Sequence, residues 1–157
     1  MLELLQIKNY ALVKNLEIKF QDGFNVITGE SGSGKTIIIN ALNLICGKRV
    51  EHKIIPNFDS KTVIEGIFKN NNKKVLSFLE TNGIDLLKDK IIIRREILDN
   101  SISRSFINDC SVKLSKLKEI GQYLLNIHTQ NENILLNKQI FYLKLIDNLT
   151  SFKFEDH

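Results

Sequence analysis

Eight consecutive residues, Gly29-Glu30-Ser31-Gly32-Ser33-Gly34-Lys35-Thr36, fit the pattern G-x-x-x-x-G-K-[ST] in full. Each residue type has a chemical reason to be there. Glycines let the backbone curl tightly enough for successive N–H groups to point at one anion. A helix starting near Lys35 would add the positive end of its dipole. Lys35 would meet the β- and γ-phosphates of a nucleotide as a point charge, and the Thr36 hydroxyl would ligate a Mg²⁺ ion that bridges phosphate oxygens. At average composition, such a match arises by chance on the order of once in 200 chains of this length.

A phosphate cradle needs a strand before it and a helix after it, and the flanking residues supply both patterns. Leu2–Ile7 and Leu16–Phe20 alternate in the manner of strands. Asp22-Gly23 is a turn dipeptide, after which Phe24–Thr28 reads as a third strand, so the chain is expected to open with antiparallel pairing. After the loop, Ile38, Ala41, Leu42 and Ile45 fall on one face of a helix from Lys35 to about Cys46, with Gly47 as its C-cap. Further on, Thr62–Phe68 reads as a strand. Lys74–Thr81 reads as a short helix burying Val75, Leu76 and Leu79 and closed by Gly83. Lys90–Leu98 and Ser103–Ile107 read as a hairpin turning near Asp99-Asn100, in which the neighbours Arg94 and Arg95 point to opposite faces and a solvated arginine is the default. Ser115 is placed as the cap of a helix to about Gly121, followed by a buried strand over Tyr123–Ile127. Leu136, Ile140, Phe141, Leu143, Ile146 and Leu149 recur at helical spacing and predict a closing amphipathic helix.

The machinery that normally completes a P-loop enzyme is missing from this sequence. No run of four apolar residues ends in Asp or Glu, as a Walker B strand would. Leu145-Ile146-Asp147 comes nearest, but Lys144 interrupts its run. The base-reading N-K-x-D tetrad of GTPases is also lacking. The composition is that of a globular chain: 157 residues, 43% hydrophobic and 25% charged. No apolar run approaches the ~18 residues of a membrane helix, and Met1–Leu5 lacks the basic start of a signal peptide. Cys46 and Cys110 have no metal-ligand partners at useful spacing and read as free thiols of a reducing cytoplasm. The net charge of +4 permits nucleic-acid binding without requiring it. The basic residues are 18 Lys and 4 Arg, a balance that an A/T-rich genome accounts for equally well.

The segments around the loop resemble a known family. Leu5-Gln6-Ile7-Lys8-Asn9-Tyr10-Ala11-Leu12-Val13, followed by Phe24 through Thr36, is similar to the opening of the RecN family of bacterial DNA repair proteins, in the SMC-like branch of the ABC ATPases. Ala41-Leu42 through Gly47-Lys48-Arg49, Arg104–Asn108 and Ile127–Glu132 resemble it too, and the likeness runs from Leu2 to about Leu149. It implies an α/β P-loop NTPase fold, the N-terminal lobe of an ABC/SMC-type head, with a mixed sheet that begins with antiparallel strands. By the same resemblance Gln130 is the Q-loop glutamine, contacting Mg²⁺ and the attacking water; on its own it reads as a polar loop residue. His128 would lie near the nucleotide or be a satisfied loop histidine. Asn9 and Tyr10 fall where such heads approach the nucleotide, with a structural role as the other reading. Of Arg94 and Arg95, one would face DNA or a partner head, against the default of a solvated arginine.

The resemblance implies residues 1–149 as the lobe, with a last helix over about 136–149 leading toward a coiled coil, and 150–157 as a tail. In such heads a second lobe carries the signature motif and Walker B, and two heads close on ATP between them. The expected protein is therefore the ATP·Mg²⁺-binding lobe of a cytoplasmic RecN-like ATPase in recombinational DNA repair, truncated or split, and nearly inactive by itself. Its expected partners are nucleotide, DNA, and a C-terminal lobe or second head, with no membrane. Two other readings stay open: a non-catalytic remnant or interaction module, and a small stand-alone P-loop kinase or GTPase.

Overall fold

The alternation of apolar and polar residues builds one antiparallel sheet. In the computed structural model, which describes residues 1–30, 32, 34–50, 61–69, 72–98 and 102–127, the strands are β1 (Leu2–Tyr10), β2 (Val13–Lys19), β3 (Thr62–Lys69), β4 (Lys90–Ile97), β5 (Ser103–Ile107) and β6 (Cys110–Val112). Their order across the sheet is β2-β1-β3-β4-β5-β6. The sheet expected to be mixed is antiparallel at every pairing among the described residues. The chain divides into two units, Met1–Asn126 and Ile127–His157. The described residues belong to the first, apart from Ile127. The expected helix over 136–149, the tail, His128 and Gln130 lie outside the described residues.

One face of the sheet is the core. Leu5 and Ile7 of β1, Ile64 and Phe68 of β3, and Ile91, Ile93 and Ile97 of β4 are all buried, as period-two alternation requires. The helices α1 (Lys35–Ile45) and α3 (Leu114–Leu124) cover this face, and α2 (Lys73–Thr81) packs on α3. Contacts at the end of α1 are unusually close. A Cβ on Gly121 would stand 2.8 Å from the Cys46 backbone, and one on Gly66 would stand 2.7 Å from Ile45 Cδ1. These two positions stay side-chain-free so that α1 can sit down on the sheet and against α3.

Four local expectations are corrected. Phe24–Thr28 pairs with no strand among the described residues. Both sides of β1 are already taken by β2 and β3, and the turn at 21–25 closes on itself. Asn25 Oδ1 accepts from Gln21 N at 3.1 Å, and Asn25 Nδ2 donates to Gln21 O at 2.8 Å. In α2, which starts at Lys73 under an Asn72 cap that accepts from Lys74 N at 3.0 Å, Phe78 is buried with Val75 and Leu79 at i, i+3 and i+4, while Leu76 lies about 100° round the helix and faces outward. Ser115 does not cap α3: the N-cap is Lys113, and Ser115 lies inside the first turn. Finally, α3 runs through Gly121 to Leu124, so Tyr123–Ile127 forms no strand; the close fit of Gly121 on Cys46 supports the helix at the residue expected to end it.

The two cysteines differ in reactivity. Cys110 is exposed, whereas the Cys46 thiol is half-covered at the end of α1, and burial pushes its pKa up to about 12. A thiol-specific disulfide reagent at pH 8 is therefore expected to modify one thiol per chain quickly, at Cys110, and the second only when denaturant is added. Rapid reaction of both thiols in the native protein would contradict the burial of Cys46.

Candidate nucleotide-binding site

The glycine loop leads straight into α1. Gly32 and Gly34 hold φ of +87° and +96°, the left-handed region that favours glycine, and a Cβ on either would meet open space. Backbone geometry, not crowding, therefore selects glycine here. Gly34 is the N-cap of α1 and offers no side-chain acceptor to the first turn. Its carbonyl accepts from Ile37 N at 2.9 Å, which starts the helix. The first turn carries no acidic residue, so nothing in the helix offsets the positive end of its dipole.

Lys35 folds back over the loop. Its Nζ donates to Gly29 O and to Glu30 O, the latter at 2.6 Å. The ammonium thus lies across the mouth of the loop on neutral carbonyl oxygens. Phosphate oxygens carry full charge, and a charge-assisted hydrogen bond is roughly twice as strong as a neutral one. Exchanging carbonyls for phosphate is therefore downhill for this ammonium. Thr36 is exposed at the first turn of α1, next in sequence to Lys35. No group of three or more His, Cys, Asp or Glu residues that could cage a metal exists among the described residues. A hydroxyl beside a phosphate cradle suits Mg²⁺, which keeps most of its shell as water and phosphate oxygen.

The remaining expected site residues fall elsewhere. Asn9 has φ of +51° and bonds to the start of β3: its Nδ2 donates to Lys61 O at 3.3 Å, and its carbonyl accepts from the Thr62 hydroxyl. Tyr10 is buried in the core. These contacts stitch the end of β1 to the start of β3. A cleft of about 460 Å³ opens on the outer face of the sheet, lined by Lys8, Asn9, Lys61 and Arg94 together with Glu65 and Glu96, and by none of the glycine-loop residues.

Neither arginine of β4 is the solvated residue expected. Arg94 faces outward but is held by Asp109 at 2.8 Å, by Glu65 at 3.7 Å and by Glu96 at 3.6 Å, and stacks 4.8 Å over the Phe106 ring. Arg95 is fully buried on the core face. Burial pushes its guanidinium below the usual arginine value. Sequence reasoning missed it, although the signal was present: Arg95 lies in phase with Ile91, Ile93 and Ile97, all core positions. Asn108 was missed likewise. It is buried at the turn between β5 and β6, accepts from Ile92 N at 2.8 Å and donates to Asp85 O at 2.7 Å.

The G-x-x-x-x-G-K-[ST] loop at the N-terminus of a helix laid on the sheet marks a lobe of the P-loop NTPase class, although the strand expected before the loop has no strand partner among the described residues. The chain belongs to the AAA domain family, whose match covers residues 4–156. It is similar to DNA repair protein RecN of Bacillus subtilis, with 36% identity over 156 residues, covering 99% of this chain and 27% of that protein. RecN of Vibrio cholerae is 40% identical over 149 residues, covering 94% and 26% respectively. The chain thus spans about a quarter of the length of these curated relatives.

Among solved structures, one from a study of ATP-driven dimerization and DNA-stimulated activation of SMC ATPases superposes with a TM-score of 0.63 at 21% identity, covering 95% of this chain and 99% of that one. The SMC head domain from Thermotoga maritima gives 0.55 at 21% identity, covering 75% and 41%. The fold is that of the SMC head. No helix among the described residues is long and apolar enough to cross a membrane.

Proposed function

We propose that this chain is the ATP·Mg²⁺-binding lobe of a RecN-type ATPase that serves recombinational repair of DNA in the cytoplasm. One observation carries the reading: the Lys35 ammonium lies over a glycine loop whose N-cap, Gly34, leaves the first turn of α1 without a side-chain acceptor. Gly29 through Gly34 would wrap the phosphates with backbone N–H groups, and Lys35 would turn from the loop carbonyls to the β- and γ-phosphates. Thr36 would hold Mg²⁺, with Gln130 as a second contact. Mg²⁺ would supply neutralisation of phosphate charge.

Turnover requires groups this sequence does not carry, above all a Walker B acid. The exposed apolar segment after β2 supports a second lobe as their source. Phe24 is 93% exposed and Val26 63% exposed, and no described strand pairs with them. Large apolar side chains left out in water at a segment with strand-like alternation favour a covering partner. Because the curated relatives are nearly four times as long, we assign that cover to the remainder of a RecN-type head, with DNA and a second head as further partners.

The 157-residue chain is accordingly expected to bind ATP and to hydrolyse it only at background rate. Steady-state phosphate release from purified protein, with Lys35→Ala alongside, checks this. Robust turnover that Lys35→Ala abolishes would overturn the two-lobe reading.

A further inference from the structure

The C-terminal end of α1 is held from outside the helix. Its last turn contains no basic residue to meet the negative end of its dipole. The cation comes from the sheet instead. Arg95 Nη1 donates to Leu44 O at 3.2 Å and to Lys48 O at 3.3 Å, and Nη2 donates to Ser103 Oγ on β5 at 2.9 Å. All three acceptors are neutral, and no carboxylate stands within ion-pair distance of Arg95 among the described residues. Its Nε is buried without a hydrogen-bond partner among the described residues. A wholly buried guanidinium with one orphaned donor is an expensive way to fill a core position that Ile91, Ile93 and Ile97 fill with hydrocarbon on the same strand.

Those acceptors explain the choice of residue. Leu44 and Lys48 bracket the turn that ends α1, so the planar fork joins the helix end, the segment after it and the start of β5 at one point. Gly66 and Gly121 press on the same end. At its other end, about 16 Å away for 11 residues, α1 begins at Gly34 with the open phosphate cradle. One end of the helix is clamped and the other is free to meet a ligand.

We propose that Arg95 is a positioning residue for nucleotide binding: by capping α1 from the sheet, it fixes where the Gly29–Thr36 cradle is held. The inference rests on the nucleotide reading above and adds a residue to it that makes no contact with the ligand. Methionine at 95 fills the space without donors. Lysine keeps the charge but cannot reach three acceptors in fixed directions. Arg95→Met should raise the ATP·Mg²⁺ Kd about tenfold and Arg95→Lys about threefold, in protein shown by circular dichroism to be folded at the assay temperature. In nucleotide-free Arg95→Met, amide exchange in the second half of α1 should quicken about tenfold, with β1 and β3 unchanged.

A residue that only fills the core would lower the melting temperature and leave the Kd within twofold of wild type, and that result overturns the proposal. If Arg95→Met does not fold, Arg95→Lys and Ser103→Ala decide by the same two readouts. If wild type binds no ATP·Mg²⁺, the nucleotide reading fails; α1 exchange then still decides whether Arg95 sets the helix, with unchanged or globally raised exchange counting against it.

Discussion

Lys35→Met is expected to weaken ATP·Mg²⁺ binding by about two orders of magnitude while leaving the fold intact. The variant keeps the unbranched stem and removes only the ammonium. In the free protein that ammonium donates to the Gly29 and Glu30 carbonyls, both on an exposed loop, so its loss opens no cavity and strands no buried charge. In the bound state it would meet two anionic phosphates. Hydrogen bonds to charged groups are worth about 1.5–3 kcal/mol each, and two of them lost, less water's replacement, comes to about 3 kcal/mol, or roughly 100-fold in Kd. Titration of both proteins with ATP·Mg²⁺, alongside their melting temperatures, checks it. Equal affinities would mean that the ammonium stays on the carbonyls and never reaches a phosphate.

Gly47→Ala is expected to destabilise the chain by about 3 kcal/mol. Gly47 ends α1 in a left-handed conformation, φ +88°, with its N–H donating to Leu44 O at 3.1 Å, while Lys48 N reaches Asn43 O at 3.0 Å. A Cβ there costs about 1–2 kcal/mol for the backbone conformation alone. It would also stand 2.6 Å from Lys118 Cα and 2.7 Å from Lys118 N. These are backbone atoms of α3 that cannot swing aside, and overpacking of this kind costs about 1–3 kcal/mol. Gly23→Ala is the internal control. Gly23 has φ of +92°, but a Cβ there meets nothing within 4 Å, so only the conformational cost remains. In urea, at a slope of about 2 kcal/mol per molar, the midpoint should fall by about 1.5 M for Gly47→Ala and by about half that for Gly23→Ala. Equal shifts would mean that α1 and α3 do not meet as closely as described.

The residues that could be read from sequence are those whose pattern is local. Period-two alternation located β1, β3, β4 and β5, because a strand buried on one face writes its burial into every second residue. The glycine loop and α1 were readable because loop chemistry and helix periodicity adjoin. Phe24–Thr28 carries the alternation of a strand but has no strand neighbour among the described residues, and a ladder depends on residues far away in sequence. Gly121 looked like a helix stop because glycine usually is one; here it is a contact point, decided by Cys46 some 75 positions earlier. Arg95 illustrates the remaining difficulty. Its place on the inner face could be counted from the isoleucines, but its acceptors, Leu44 and Lys48, lie about 50 residues upstream and no spacing rule links them to it.

These placements describe a lobe built around one helix: clamped at its C-terminal end by Arg95, Gly66 and Gly121, and open at its N-terminal end over a glycine loop. That the open end receives the phosphates of a nucleotide is tested most directly by isothermal titration of the 157-residue chain with ATP in the presence of Mg²⁺. Saturable binding of one nucleotide per chain is predicted. Absence of binding by natively folded protein would contradict it.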